Sequence, residues 1–438
     1  MAYCGYITTL KDVRPHPNAD RMLLATCFGN TVCVGLNSAE GEIGLYLPSD
    51  GQVSVEFAKE NNLLRLYDEN GHSIPGGGYL DPDKRNIKAI SLRGVKSDGI
   101  FLPISCLAYT GVNLDELNVG DTINAVNGHE ICQKYVPRNS HRVGRPTDGN
   151  RTRKKRAPLA PLFAEHVDTE QLAYNLGAFR PGDEIEITLK MHGTSQRTGY
   201  LPVFSGFRRT IWDKLFRRDG EPIYTYDIVT GTRRTVINGE AGGFYGSHAF
   251  RMPHAELFRG KLWKGETVYY EVVGYTHTGA PIMATGTTPK EYVKEYGKKM
   301  EFSYGCEPPK SDIYVYRMTM TNEDSNVVEY SPDFMRYRCE QMGVKTVPVF
   351  WKGIIDAEIE DGEAGEIAKQ LAELHYDGPD PIGKTHIREG VVVRILNRPK
   401  FCAYKHKNWC FKVVEGIVKE NADVPDMEEA ESVMEENE

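Results

Sequence analysis

The segment EIEITLKMHGTS, which spans Glu184–Ser195, decides the prediction of the fold. Its apolar and polar residues alternate, as in a strand with one buried face, and the apolar face consists of Ile185, Ile187 and Leu189. Lys190 lies at the end of this strand, directly before a Gly-Thr-Ser turn. A lysine amine can act as a nucleophile when it is desolvated or lies beside other cations. A lysine at a strand end is more often a surface residue, so this segment alone leaves both interpretations open.

Three later segments favour the nucleophile. Glu271 lies within the apolar strand TVYYEVVG, and Glu389 precedes Gly390 and the apolar run VVV. Lys405 and Lys407, in AYKHKNW, are two residues apart and therefore share one face of a strand. Two lysines on one face suit the binding of an anion. The alternative is a solvated edge strand whose lysines prevent pairing with another chain.

Five short motifs together resemble those of the covalent nucleotidyltransferases, the superfamily of ATP-dependent DNA and RNA ligases and mRNA capping enzymes. They occur in the order typical of that superfamily, and they are KMHG (190–193), YEVVG (270–274), IYVYR (313–317), EGVV (389–392) and KHK (405–407). A second lysine motif, KSDG (96–99), resembles the form common in DNA ligases. It lies too far from KHK for one such domain, and its surroundings indicate a strand and turn of an N-terminal module. Lys190 is therefore identified as the nucleophile.

Two further features resemble RNA ligases in particular. The lysine motif continues as KMHGT, with His192, and the terminal motif continues as HKNWCFKVVEG. Near the N-terminus, HPNADRM (16–22) and LRGVKSDGI (92–100) resemble tRNA-binding OB modules attached to aminoacyl-tRNA synthetases. An OB module ahead of the transferase domain is typical of one family of ATP-dependent RNA ligases.

These patterns predict an α+β protein with four parts. Residues 1–133, with short apolar runs separated by turns, are expected to form an OB-type β-barrel that binds RNA. Residues 134–156 form a basic linker, which is either a solvated tether or nuclear-localisation patch, or a groove for phosphates. Residues 157–419 form a nucleotidyltransferase (adenylation) domain of antiparallel sheets with flanking helices, among them 165–176, with Asp168 near its cap, and 366–375. Residues 420–438 form an acidic tail expected to be disordered.

The resemblance also implies a role for each matching residue. Lys190 attacks the α-phosphorus of ATP to form lysyl–AMP, AMP passes to an RNA 5′-phosphate, and a 3′-hydroxyl then displaces AMP. The residues implied to be catalytic are Lys190, Lys405 and Lys407. Those implied to bind ATP or AMP are Leu189, His192, Gly193, Arg197, Glu271, Tyr316, Val392 and Arg394. Tyr316 would stack on adenine, with Tyr314 as the second candidate, and Glu389 would lie near Mg²⁺ or Mn²⁺, through water.

Charge and composition exclude several other classes. The formal net charge is -8, but residues 420–438 hold nine acidic side chains, whereas residues 134–156 hold nine basic side chains and one acidic one. No apolar run is long enough to span a membrane, and the N-terminus lacks the features of a secretory signal. Nine cysteines without a CxxC pair argue against a disulfide framework and a thiolate zinc site. We therefore expect an intracellular protein, cytoplasmic or nuclear, which acts as a monomer on nicked duplex RNA or broken RNA ends.

Two questions remain open at the level of sequence. The insertion GFRRTIWDKLFRR (206–218) has five basic residues and one acidic residue among its aromatic and aliphatic ones. It predicts either a helix that faces RNA or a helix that packs on its own domain. The alternatives to an RNA ligase are another covalent nucleotidyltransferase, namely a DNA ligase or a capping guanylyltransferase, and a non-catalytic RNA-binding protein.

Overall fold

The computed structural model describes residues 3–135 and 157–414, apart from 50, 70, 71, 75, 168, 216–219, 243, 244 and 361. Almost all of the predicted linker, the whole of the predicted tail and the predicted cap Asp168 lie outside these residues. The described chain divides into two units, and residues 3–135 with 412–414 belong to the first and residues 157–411 to the second. None of the helices among these residues has the length and apolar character that crossing a bilayer requires.

The first unit consists mainly of short strands. Its strands are β1 (Gly5–Thr9), β2 (Lys11–Pro15), β3 (Leu23–Cys27), β4 (Asn30–Val34), β5 (Ile43–Leu47), β6 (Gly51–Val53), β7 (Leu66–Tyr67), β8 (Ser73–Ile74), β9 (Ile90–Leu92), β10 (Val95–Ser97), β11 (Ile100–Pro103), β12 (Thr122–Ile123), β13 (Ala125–Val126), β14 (His129–Glu130) and β15 (Cys132–Lys134). Its helices are α1 (Val55–Glu60) and the 3₁₀ helices Ile104–Thr110 and Leu114–Glu116.

These strands pair in several separate sheets. One sheet has the order β11-β5-β1-β12, a second has the order β2-β3-β4, and the remaining strands of the unit pair two by two. Leu45, Leu47 and Phe57 are among the residues that form its buried core. The described residues of this unit do not form one closed barrel, so the predicted OB-type barrel is not confirmed.

The two N-terminal segments that resemble tRNA-binding modules contact each other. The buried His16 ring lies with Nε2 3.2 Å from the carbonyl oxygen of Leu92, and its Nδ1 lies 3.1 Å from the amide nitrogen of Asn18. The Asn18 side chain donates a hydrogen bond of 2.8 Å to the carbonyl oxygen of Arg93. The HPNAD turn is therefore attached to the β9–β10 hairpin, which also carries Lys96. This contact explains why both segments occur together in one chain.

The second unit contains two five-stranded sheets. Its strands are β16 (Glu170–Gln171), β17 (Glu184–Leu189), β18 (Thr194–Arg208), β19 (Glu221–Gly231), β20 (Glu266–Gly274), β21 (Gly286–Thr287), β22 (Lys299–Met300), β23 (Ser311–Thr321), β24 (Val327–Glu329), β25 (Val349–Ile354), β26 (Gly390–Ile395) and β27 (Cys402–Lys407). Its helices are α2 (Ile211–Leu215), α3 (Met252–Glu256), α4 (Val293–Tyr296), α5 (Pro332–Met342), α6 (Ala364–Glu373) and α7 (Trp409–Val414), with 3₁₀ helices at Leu172–Tyr174, Leu176–Ala178 and Lys290–Tyr292.

The sheet orders are β16-β27-β26-β17-β25 and β19-β18-β20-β23-β24. All pairs are antiparallel except β16 with β27. Few helices accompany the sheets, which confirms the predicted α+β class with antiparallel sheets. The predicted helix 366–375 is confirmed as α6, whose buried Ala364, Ala368 and Ala372 pack on the first sheet.

The predicted helix 165–176 is wrong. Glu170 and Gln171 instead form β16 and pair in parallel with Tyr404 and Lys405, and two 3₁₀ turns follow. The apolar residues whose spacing indicates a helix are buried without one, since Leu172 lies in the core beside the first sheet. Pairing with a strand more than 200 residues away overrides the local helical pattern.

Candidate active site

β17 places Lys190 at the end of a central strand. It pairs with β26 on one side and β25 on the other, and Ile185 and Ile187 lie in the hydrophobic core, as the alternation predicts. The backbone amide of Lys190 donates a hydrogen bond of 3.0 Å to the carbonyl oxygen of Gly390, the first residue of β26. The position of the Lys190 backbone is therefore fixed by the residue that follows Glu389.

A buried cluster of charges forms around Glu389. One carboxylate oxygen, Oε1, lies 2.7 Å from Nζ of Lys190 and 3.3 Å from Nζ of Lys407, and Oε2 lies 3.7 Å from Nδ1 of His192. The Lys407 contact follows from the sheet register, because Gly390 and Lys407 are direct partners in β26 and β27. Residues that are up to 217 positions apart in the chain thus meet at one carboxylate.

Neighbouring positive charges keep the carboxylate of Glu389 ionised. Burial opposes ionisation, but the positive charges of Lys190 and Lys407, with a contribution from His192, outweigh it and hold the pKa of Glu389 at about 2. Neither carboxylate oxygen receives a well-directed hydrogen bond from the described residues, so attraction between charges dominates these contacts. The carboxylate contributes stability that is present above the ordinary pKa and is lost only as the pH falls towards 2.

His192 is held by aromatic rings and by a backbone hydrogen bond. Its ring packs edge-on against Phe302 at 4.6 Å and against Phe411 at 4.8 Å, measured between ring centroids. Its backbone amide donates a hydrogen bond of 2.6 Å to the hydroxyl oxygen of Tyr304. The ring of Tyr304 in turn lies 4.5 Å from that of the buried His386. These contacts fix the orientation in which His192 faces Glu389.

Glu271 lies on the second sheet, next to the chain that follows Lys190. It is the register partner of Ser195 on β18 and of Tyr314 on β23. A side chain at Gly193 would approach the carbonyl oxygen of Val272 to 2.5 Å and Cγ of Glu271 to 2.8 Å. The glycine of the lysine motif is therefore required by the close approach of β20, whereas the sequence suggested the approach of a nucleotide.

Tyr316 is the extra residue of a β-bulge. Val315 pairs with Tyr270 and Arg317 pairs with Tyr269, so no residue of β20 lies opposite Tyr316. Its hydroxyl group lies 2.9 Å from the hydroxyl oxygen of Ser195, and its ring lies 5.1 Å from that of His166. Burial and the charge of Glu271 raise the pKa of Tyr316, which therefore stays protonated.

Other predicted residues lie on the same sheet face as the lysines. The half-buried Val392 pairs with Thr188 on one side and with Lys405 on the other, two register positions from the Gly390–Lys407 pair. Lys405 is also half-buried, and the roles of both residues in binding the nucleotide stay predictions. The side chain of Leu189, by contrast, is buried among the core residues of β17, so its contact with a nucleotide would have to involve its backbone.

Two predicted phosphate contacts have other partners. The buried guanidinium group of Arg197 donates hydrogen bonds to the backbone carbonyl oxygens of Phe163, Ala164, Thr232 and Arg234. These hydrogen bonds give Arg197 a structural role in the second sheet, and its contact with a phosphate stays a prediction.

Arg394 donates a hydrogen bond of 3.0 Å to the carbonyl oxygen of Tyr330 and lies 3.7 Å from Glu329. Its burial lowers its pKa. The predicted contact of Arg394 with a phosphate stays a prediction.

The assignment of Arg197 has a direct test. Replacing Arg197 with alanine removes the guanidinium donor from four carbonyl oxygens, of which that of Ala164 keeps a second donor, the hydroxyl group of Tyr269. We expect the free energy of unfolding to fall by about 3–5 kcal/mol. The matched control is Arg208→Ala, because Arg208 is exposed and its loss should change stability by less than about 0.5 kcal/mol. Urea unfolding measures both. An R197A protein of normal stability with a raised KM for ATP would support the phosphate contact instead.

Several residues near the site carried no recognisable signal in the sequence. Tyr304 and His386 lie beneath His192, and His166 lies beside Tyr316. Arg233, at the turn after β19, lies near enough to Tyr316 for its charge to lower the pKa of that tyrosine. The Arg-Arg pair at positions 233–234, directly after a strand, is the one local pattern that would have indicated a second basic site.

Comparisons with known proteins agree with this geometry. A family model described as RNA ligase matches residues 183–414, more than half of the chain. The structure is similar to Naegleria gruberi RNA ligase with PPi, at 16% identity and a TM-score of 0.56, over 93% of this chain and 97% of that one. It is also similar to two mutants of that enzyme with ATP and Mn, both at 17% identity, with TM-scores of 0.55 and 0.54 over 93% of this chain and 97% and 96% of those chains.

At these identities the structural similarity establishes the fold, and no curated protein sequence matches the chain. The family match itself contains Lys190, His192, Glu271, Glu389 and Lys407. The resemblance seen in the sequence motifs is therefore confirmed, and this chain belongs to the RNA ligase family.

Proposed function

We propose that this protein is an ATP-dependent RNA ligase that seals 3′-hydroxyl/5′-phosphate breaks through a lysyl–AMP intermediate on Lys190 and an RNA-adenylate. The observation that carries the proposal is the cluster in which Glu389 lies between Lys190, Lys407 and His192. A buried amine, a second lysine and an ionised carboxylate in one place are the groups that nucleotidyl transfer to lysine requires.

In the first step the lysine amine attacks the α-phosphorus of ATP. The amine first gives up the proton that it carries in the ion pair, which frees its lone pair. The new N–P bond then forms as the bond to pyrophosphate breaks, and the nitrogen loses a second proton, both protons passing to water. In the structure Glu389 stabilises the protonated form of Lys190, because an opposite charge favours the charged state. Arrival of other positive charge at Glu389 would weaken that stabilisation. Lys407 and Lys405 are suited to balance the negative charge that develops on the phosphate.

The second and third steps use the same groups. The AMP moiety passes from Lys190 to the 5′-phosphate of RNA, and the 3′-hydroxyl then attacks that phosphate and releases AMP. Because each step moves a charged phosphoryl group, positioning and neutralisation of charge carry most of the catalysis. We assign the adenosine to the neighbouring residues Glu271, His192, Tyr316 and Val392, with Glu271 facing the ribose and Tyr316 facing the base.

A divalent metal fits the site through Glu389. No group of three or more histidine, cysteine or acidic side chains suited to a metal occurs among the described residues. Mg²⁺ and Mn²⁺, however, commonly bind through one or two carboxylates, with water and substrate phosphates as the other ligands. Neither of the two buried oxygens of Glu389 accepts a directed hydrogen bond from the part of the chain that the structure describes, so Glu389 can supply such a carboxylate, directly or through water. The metal would supply charge neutralisation at the phosphates.

We assign RNA placement to the N-terminal unit. The four parts 1–133, 134–156, 157–419 and 420–438 are retained as the proposed organisation, with the first as an OB-like RNA-binding module and the second as a basic connection. The support is the attachment of the HPNAD turn to the LRG segment, which joins the two stretches that resemble tRNA-binding modules. We further propose that the protein acts as a monomer in the cytoplasm or nucleus, on nicked duplexes or broken strand ends.

One labelling experiment tests the activity. The protein is incubated with ATP or GTP, labelled at the α-phosphate, together with Mg²⁺ or Mn²⁺, and the chain is examined for label that survives denaturation in detergent and treatment with alkali, because a lysyl phosphoramidate is stable in alkali and labile in acid. Label from ATP, followed by joining of a nicked duplex with RNA on the 3′-hydroxyl side, is the expected result. Label from GTP alone would indicate a capping enzyme, and joining only of DNA would indicate a DNA ligase. The absence of label would contradict the proposal.

A further inference from the structure

The hairpin of β18 and β19 is longer than the sheet that carries it. β18 pairs with β20 only through Thr194–Gly199, whereas its pairing with β19 continues to Arg208. Residues 200–208 and 221–228 therefore form a two-stranded extension, here called the ribbon. A two-stranded hairpin is only marginally stable in water, so the ribbon needs contacts of its own.

The base of the ribbon has such contacts. Leu201 and Val203 pack with Phe163 and Ala160 in a small hydrophobic cluster. The amide of Phe204 donates a hydrogen bond of 2.7 Å to the carbonyl oxygen of Leu159. Aromatic pairs across the strands, Tyr200 with Tyr226 at 5.7 Å and Phe204 with Tyr224 at 6.0 Å, continue this bracing. The ribbon is thus held in place up to the Phe204–Tyr224 pair.

Beyond that pair the composition changes. The end of the ribbon and the start of α2, residues 208–212, are here called the tip. Arg208 and Arg209 are exposed, and the side chains of Ile211 and Trp212 are 82% and 68% exposed. Asp213, the acidic residue of this segment, accepts hydrogen bonds from the amide and hydroxyl groups of Thr210. Its carboxylate is therefore bonded to Thr210, the residue that directly precedes α2.

The described side chains favour the interpretation in which the insertion faces a partner. Ile211 and Trp212 are the largest apolar side chains of the tip, and both are mostly exposed. Two adjacent exposed apolar side chains at the end of a braced hairpin suit a contact surface. Residues 206–221 carry five basic and three acidic side chains, and one of the acidic ones, Glu221, pairs with Arg208 across the strands. The remaining excess of positive charge favours a negatively charged partner.

We propose that the tip binds the RNA substrate, with Arg208 and Arg209 on phosphates and Trp212 stacked on an accessible base. Arginine with an exposed aromatic ring is a common combination for binding RNA, because every base offers a face for stacking. This proposal rests on the proposed ligase activity for the identity of the nucleic acid. It gives the insertion a role in holding RNA, which is separate from the transfer of the nucleotide at Lys190.

The position of the tip makes the proposal specific. β18 begins four residues after Lys190, and its 15 residues extend at most roughly 45 Å at 3.3 Å per residue. The tip would therefore contact RNA well away from the break, and its contribution should depend on the length of RNA that flanks the break.

Two variants of the full chain test this inference, Arg208→Ala/Arg209→Ala and Trp212→Ala. The probes are nicked RNA duplexes with flanks of about 20 or about 6 base pairs, and their Kd is measured at several salt concentrations. On the long duplex each variant is expected to weaken binding about tenfold. The double arginine variant should also reduce the slope of log Kd against log salt by between one and two. On the short duplex both variants should bind like the unaltered protein.

The controls are Leu374→Ala and Lys298→Ala, which remove an exposed apolar and an exposed basic side chain elsewhere in the same unit. Both should leave Kd and the salt slope unchanged. Unchanged binding of the long duplex by the tip variants would overturn the inference and would leave the tip as a surface for another protein. Formation of lysyl–AMP from ATP alone, measured in parallel, reports on the proposed function separately, because it needs no RNA.

Discussion

Replacing Lys190 with alanine is expected to abolish the covalent, alkali-stable label that the chain takes up from α-labelled ATP. The amine is the atom to which AMP would be joined, and the two nearest charged groups, Glu389 and Lys407, cannot take its place, because one is an acid and the other lies on a different strand. We expect a loss of roughly 10⁴-fold or more in the sealing of 5′-phosphate ends, as is typical when a nucleophile is removed. Quantifying the protein-bound label and the ligated RNA measures both effects.

Two controls separate this effect from unfolding. Lys96→Ala removes the lysine of the competing KSDG motif, which lies exposed in the β9–β10 hairpin of the first unit, and should keep normal labelling. The Lys190→Ala protein should also join RNA that already carries a 5′-adenylate, because the final step does not use the amine as a nucleophile. Label on the Lys190→Ala chain, or its loss from the Lys96→Ala chain, would show that the wrong lysine has been identified.

Replacing Glu389 with glutamine should have the second largest effect. The amide keeps the shape of the side chain but removes the negative charge, so Lys190 and Lys407 face each other without a counter-charge. We expect ligation to fall roughly 10²- to 10³-fold, as when one charge-stabilising group is removed from an active site. We also expect the free energy of unfolding to fall by about 3–5 kcal/mol, because buried charges lose their partner. Single-turnover ligation and urea unfolding measure the two quantities.

Glu266→Gln is the matched control for this variant. Glu266 is also fully buried, and it forms an ion pair of 2.8 Å with Arg338 and accepts a hydrogen bond of 3.0 Å from Tyr330. Its replacement should lower stability by a similar amount without a specific loss of ligation at temperatures where the protein is folded. If the two variants lose activity in proportion to their stability, Glu389 has only a structural role.

The positions of site residues that depend on a single strand could be predicted from the sequence. The alternation of β17 fixes which residues are buried, and the strand end fixes the place of Lys190. The two-residue spacing of Lys405 and Lys407 likewise places both on one face of β27. These predictions succeed because the periodicity of a strand is a local property.

The parts that depend on distant pairing could not be predicted. Tyr304 and His386 reach His192 from segments 112 and 194 residues further along the chain, and neither segment has a recognisable pattern. The structural contacts of Arg197 could not be predicted for a related reason. The resemblance implies that this guanidinium group contacts a phosphate, and the sequence gives no sign of the four carbonyl oxygens from two other loops that accept its hydrogen bonds. Only the tertiary structure supplies those partners.

The bulge in β23 means that the pairing of the second sheet does not depend on Tyr316. The pairs on either side of Tyr316, namely Val315 with Tyr270 and Arg317 with Tyr269, would both persist in a chain that lacked this one residue. A deletion of Tyr316 would leave a regular ladder and would remove the ring that lies beside Ser195 and His166. A chain that is one residue shorter at this point should therefore keep the same strand order, so the proposed contact of Tyr316 with adenine can be tested without disturbing the sheet.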